Sequence, residues 1–135
     1  MDRTRFFVRV AAIYALIGAF MGSHMAGGGG LQLSAIHAHI LVVGWLSLFA
    51  FGIYYRVFSI PKDSKLSIVH VWSSFIGVFG LTVGMWLYYT QPIEGMRAFN
   101  TVFFIVGGTV LLIAFVVFAI MVFVHGKAIS EDPTS

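Results

Sequence analysis

The chain has 135 residues, of which 59% are hydrophobic and 10% charged, with no cysteine and a formal net charge of +3. A soluble domain carries roughly 25% charged residues, so this composition, with a mean hydropathy of +0.96, excludes an ordinary soluble fold. The missing cysteines exclude disulfides, iron–sulfur ligation, covalent C-x-x-C-H haem attachment and cysteine nucleophiles, and leave His, Met and Tyr to hold any metal.

Four apolar stretches are expected as helices at about 6–26, 35–58, 66–89 and 98–124. Each is long enough to cross a hydrocarbon core of roughly 30 Å at 1.5 Å per residue. The expected fold class is therefore all-α: a single-domain integral membrane four-helix bundle over 1–135. The first stretch follows Arg3, Arg5 and Arg9, as a signal peptide would. Its apolar core exceeds the ~7–15 residues of a signal core, and "GGGG" follows it in place of an A-x-A-like site, so it reads as a retained helix. The "GSHM" at 22–25 resembles a cloning scar, but lies inside this stretch, and His24 is read as native.

The first link, "GGGGLQLS", is short, as are "SIPKDSK" and "TQPIEGMR". Short links make consecutive helices antiparallel neighbours, giving an up-down order. Arg3, Arg5, Arg9, Arg56, Lys62, Lys65 and Lys127 then fall on one side and only Arg97 on the other. The positive-inside rule places both termini in the cytoplasm. The pI of 9.5 comes from this asymmetry and does not point to nucleic acid.

No Asp, Glu, Lys or Arg lies in the middle of a stretch, so the intramembrane ionisable candidates are histidines. In "SAIHAHILVVGW", residues 34–45, His37 and His39 stand two apart. They lie on the order of 5–8 Å inside the outer end of their helix, and a two-residue step turns about 200°. They face nearly opposite ways and cannot readily chelate one ion, as an i, i+4 pair does. Such a pair suits two partners, one on each side. Two imidazoles with no local polar partner are costly to bury, and ligation would satisfy one nitrogen of each. His24 is expected at the same depth on the first helix. His70 and His125 belong to the inner side, His70 in a hydrogen-bonding or packing role.

The run His37-x-His39 with Gly44-Trp45 and "FGIYYRVF" at 51–58 resembles one helix of the haem–copper oxidase catalytic subunit, closest to the bacterial high-affinity branch of that superfamily. "SKLSIVHVWSSFIGVFGLTVGMW" at 64–86 resembles its next helix, and "EGMRAF" at 94–99 the loop after it. The likeness covers roughly residues 34–99. It implies b-type haem, one or two per chain, toward the outer face in a bacterial inner (plasma) membrane. By the resemblance His37 is the ligand of a high-spin haem and His39 an axial ligand of a low-spin one. Arg97 is the candidate partner for haem propionates, or an interfacial anchor. The three further histidines and the tyrosine of the family's copper site are absent, so an oxidase activity is not implied for this chain alone. A second low-spin ligand is also missing, and His24 is the candidate substitute. The family subunit builds three four-helix arcs about a pseudo-threefold axis, which makes a homotrimer the favoured assembly. An electron donor protein or a quinol is the expected redox partner, beside the lipid bilayer.

Two further readings stay open. Met21, His24 and Met25 are soft and borderline ligands suited to Cu(I), so a copper-binding or copper-delivery protein is an alternative. A non-catalytic subunit of a respiratory complex is another. Gly80 and Gly84 form a G-x-x-x-G that allows close helix approach. Gly18, Gly22, Gly44 and Gly52 are read as room either for a neighbouring helix or for a porphyrin face.

Overall fold

The computed structural model describes residues 1–28, 30 and 33–129. Four long helices carry the chain: α1 (Arg3–Ala26), α2 (Ser34–Val57), α3 (Lys65–Thr90) and α4 (Arg97–Val124). A single 3₁₀ turn, Gly126–Ile129, follows α4. There is no strand among the described residues. All four helices are long and apolar enough to cross a membrane, within a few residues of the expected bounds. The largest shift is at α1, which begins at Arg3 because the Asp2 carboxylate accepts a hydrogen bond from the Arg5 N–H at 3.0 Å, satisfying one free donor of the first turn. Ser64 caps α3 in the same way, accepting from the Ser67 N–H. At the far end of α3, Gln91 turns left-handed at φ 44°, where Pro92 follows and stops the helix.

The middle of α2 is not a plain α-helix. Ile40–Ser47 forms a π-helical stretch, in which the Ser47 hydroxyl donates to the Val42 carbonyl at 2.8 Å. It begins immediately after His39, and wide turns of this kind recur at functional sites.

Glycine decides which helices pair. On α3, a Cβ at Gly77 would meet the Leu111 backbone at 2.5 Å, one at Gly80 the Gly107 Cα at 2.9 Å, and one at Gly84 the Phe104 Cα at 2.6 Å. The G-x-x-x-G is thus spent within the chain, on α3–α4 packing. On the other side, Gly18 lies against Leu41, Gly22 against His37, Gly44 against the Tyr14 ring, and Gly52 against Phe7 and Val8. These four sites hold side chains of the α1–α2 contact. Their room is taken by an imidazole, a phenol ring and aliphatic groups, which corrects the reading of them as a porphyrin face within one chain.

The α1–α2 and α3–α4 pairs meet unevenly. At the end carrying Arg3, Lys62 and Lys65, called here the basic end, Phe7, Phe51, Tyr55, His70 and Phe118 form one ring cluster, with Phe51 and His70 centroids 4.5 Å apart. Toward the other end the pairs part and leave a cavity of about 450 Å³.

Candidate functional site

His39 lies near the start of α2, exposed on the bundle surface. Its Nδ1 is 2.8 Å from the Ala35 carbonyl oxygen, one turn back on the same helix. A carbonyl only accepts, so Nδ1 carries the proton and donates. In the neutral ring Nε2 then keeps its lone pair, directed away from the helix backbone. This is the arrangement that fixes a ligating imidazole, one nitrogen held by a backbone oxygen and the other free. Beside the ring, Ala38, Val42 and Val43 line a shallow apolar depression with His39 itself. Small side chains there leave a flat face that a large planar group can approach.

His37 is turned the other way, as the i, i+2 spacing predicts. Its ring lies over Gly22 of α1, where a Cβ would come within 3.1 Å of Cε1. Its Nδ1 is buried and has no hydrogen-bond partner among the described residues. The α1 backbone at Gly22 packs on one side of the ring, and the residue as a whole is half-buried. The two histidines therefore differ: His39 is exposed with Nδ1 held by a backbone oxygen, and His37 is half-buried against α1.

His24 is exposed near the end of α1. Met21 is half-buried and lines the cavity between α1 and α3, together with Ile17, Ile36, Phe79 and Trp86. His24 and Met25 do not line it. Arg97 opens α4, exposed to its surroundings. Its carbonyl accepts from the Thr101 hydroxyl at 2.8 Å, and its guanidinium makes no ion pair among the described residues. The one ion pair there is Arg5 with Asp2, at 3.7 Å. No group of three or more His, Cys, Asp or Glu comes together among the described residues. His24, His37 and His39 thus do not converge on a single ion within one chain. The described residues offer an exposed imidazole at His39 and no closed ion cage.

Comparison with known protein families, curated proteins and solved structures finds no match to this chain.

His70, expected from the sequence to hydrogen-bond or pack, does both. It is 0% exposed, as are Ser67 and Ser74 on the same helix. Its Nδ1 is 2.8 Å from the Tyr55 hydroxyl of α2. Arg3 of α1 reaches the same place: Nη2 donates to the Ile60 carbonyl at 2.7 Å, Nη1 donates to the Ser67 hydroxyl, and the guanidinium stands 4.5 Å over the Tyr55 ring. The signal was present in the spacing. Ser67, His70 and Ser74 fall at i, i+3 and i+7, a single polar stripe on one helix face.

Proposed function

We propose that this chain is a membrane protein that binds b-type haem, with His39 as an axial ligand on the open face of α2, serving electron transfer or the binding of a diatomic gas. One observation carries the reading: Nδ1 of His39 donates its proton to the Ala35 carbonyl, so Nε2 is unprotonated and presents its lone pair at an exposed position. When bound, haem supplies an iron that two axial ligands close for electron transfer, or that one axial ligand leaves open for a gas molecule. His39 would hold the iron and the depression formed with Ala38, Val42 and Val43 would seat the ring edge. His37 is the second candidate ligand, and engaging it requires α1 to draw back from its ring at Gly22. Arg97 is the candidate partner for carboxylate groups of the ligand, since no acid in the described chain neutralises it.

A haem on an outward face needs a second wall. In this reading the wall is another copy of the chain, in a homotrimer, with His24 or a neighbour's histidine completing the ligand set. The antiparallel order of α1 and α2 is supported by the Gly18–Leu41, Gly22–His37 and Gly52–Phe7 pairings, and the clustering of basic residues supports placing both termini in the cytoplasm, of a bacterial inner membrane in this reading. Electrons would come from a donor protein or a quinol.

The test is the visible spectrum of detergent-purified protein made with ample haem supply, oxidised, reduced, and reduced under carbon monoxide. A Soret band with reduced α and β bands that vanish in His39→Ala is the expected result. A carbon monoxide shift adds an open iron. Absence of haem in the wild type overturns the reading, and copper analysis then addresses Met21, His24 and Met25.

A further inference from the structure

One face of α1 changes, from the basic end onward, from charged to apolar. Arg5, Phe6, Arg9, Val10, Ile13 and Ile17 recur at helical spacing, a single stripe on one side of the helix. The first part of this stripe lines a furrow of about 320 Å³, with Arg5 and Arg9 at its start and Val10 and Ile13 along it. Val10 and Ile13 are also walls of the cavity of about 450 Å³ between α1 and α3. The two spaces are therefore one groove, which starts at guanidinium groups and ends among hydrocarbon.

The groove exists because of the way α1 and α3 meet. Near the basic end the Phe6 ring touches Phe75 and Trp72, with centroids at 5.3 and 6.3 Å. Further along, Tyr14 Oη stands 3.4 Å from Thr82 Oγ1. The Thr82 hydroxyl donates to the Val78 carbonyl at 2.8 Å, so in that pair Tyr14 is the donor. Both hydroxyl protons are thereby spent. The rest of the wall is aliphatic and aromatic, with the Trp86 indole at the far end. Such a lining favours a plain hydrocarbon chain over a ligand that would have to bury polar groups there.

Charge and length say which hydrocarbon. Arg5 has Asp2 at 3.7 Å, and Arg9 has no acid within ion-pair distance among the described residues. Two guanidinium groups against one carboxylate leave the start of the groove positive. Basic pockets of this kind beside membrane helices suit anionic lipid headgroups. From Arg9 to Met21 is twelve residues, about 18 Å of helix at 1.5 Å per residue. One leaflet of hydrocarbon is about 15 Å deep, half of the ~30 Å core. The groove is thus as long as one acyl chain of the leaflet whose headgroups lie at Arg9.

We propose that this groove binds one anionic phospholipid from the leaflet at the basic end. The phosphate sits between Arg5 and Arg9, and one acyl chain runs between α1 and α3, past Ile13 and Ile17 and against Phe79 and Val83. The chain fills the space beyond Phe6 and ties the α1–α2 pair to the α3–α4 pair where the two part. No bond is made or broken. His39 does not line the groove, so lipid binding is independent of haem and is measured without it.

The experiment is native mass spectrometry of the purified full chain in a mild detergent, titrated with phosphatidylglycerol and with phosphatidylcholine of the same acyl chains. One phosphatidylglycerol per chain, held in preference to phosphatidylcholine, is the expected result. Arg9→Gln should weaken phosphatidylglycerol about 5-fold, the scale of one basic residue near an anionic surface, and narrow the preference. Ile17→Trp, an exposed position that the larger ring would fill, should weaken both lipids. Lys127→Gln, a charge at the same end but outside the groove, should change neither. Glycerol phosphate, a headgroup without chains, should not displace the bound lipid. Equal retention of the two lipids overturns the proposal, as does phosphatidylglycerol binding that is unchanged in Arg9→Gln or in Ile17→Trp. Displacement by glycerol phosphate overturns it in favour of a free-phosphate site, and a lipid-free dimer in favour of a second copy on this face.

Discussion

His70 shows how much one hydrogen bond matters when water is excluded. Its ring sits among Phe51, Phe118 and Phe7, with centroids at 4.5, 5.5 and 5.8 Å. Tyr55→Phe keeps that aromatic packing and removes the O–H that satisfies Nδ1. Both ring nitrogens then lack partners, so a loss of about 1–3 kcal/mol is expected, read as a lower unfolding midpoint in detergent. Asp2 offers a milder case. The Arg5 N–H, first, and the Arg5 charge hold its carboxyl below the ordinary carboxylate range. A lowered folded value means the cap is fully present above the ordinary range and is lost as pH falls through the lower value. Acid below the ordinary carboxylate range should therefore fray the start of α1, seen by hydrogen exchange at residues 3–6, and Asp2→Asn should remove that pH dependence while keeping the cap.

At the scale of elements, the α3–α4 contact is set by three glycines of α3, Gly77, Gly80 and Gly84, which face Leu111, Gly107 and Phe104 of α4. Gly107 lies against Gly80 and Leu81 backbone, whereas neighbouring Gly108 meets only the Leu81 Cδ1 at 3.5 Å. The same substitution should therefore have opposite signs one residue apart. Gly107→Ala has to push two backbones apart, and overpacking of this kind costs about 1–3 kcal/mol. Gly108→Ala finds ordinary contact distance and gains the roughly 0.5–1 kcal/mol by which alanine exceeds glycine in a helix. Unfolding midpoints of the two variants, measured side by side, check this. Helix extents were legible in the sequence because a long apolar run ended by Pro61 or Pro92 has few alternatives. The opposed directions of His37 and His39 were legible too, since helical geometry alone sets them. The fate of the glycines was not, because spacing says where room exists and not what fills it. Gly22 accommodates an imidazole and Gly44 a phenol ring, which depends on how α1 and α2 register. The π-helical stretch at Ile40–Ser47 also left no mark in the sequence, as its residues are as apolar as those of any membrane helix. His70 does hydrogen-bond and pack as its sequence position led one to expect, but its setting was not legible, because Ser67, Ser74, Tyr55 and Arg3 come together around it from three helices.

For the whole molecule, the two ends differ in electrostatics more than in shape. The basic end binds Arg3 into the protein through Ile60, Pro61 and Ser67, so part of the charge that the positive-inside rule counts is structural here. The remaining basic residues at that end are free to report the side of the membrane. The lack of cysteine makes this directly measurable, because each introduced thiol is unique. Asp63 lies in the turn between α2 and α3, and Glu94 between α3 and α4, both exposed. Asp63→Cys should react with a membrane-impermeant maleimide only after the cytoplasmic side is opened, and Glu94→Cys should react in intact cells. The reverse pattern would put His39 at the cytoplasmic end and the basic end outside. Equal labelling of both would mean two orientations. The same pair of variants thus decides which side of the membrane His39 faces, and so from which side an electron donor would have to reach it if the haem-binding proposal holds.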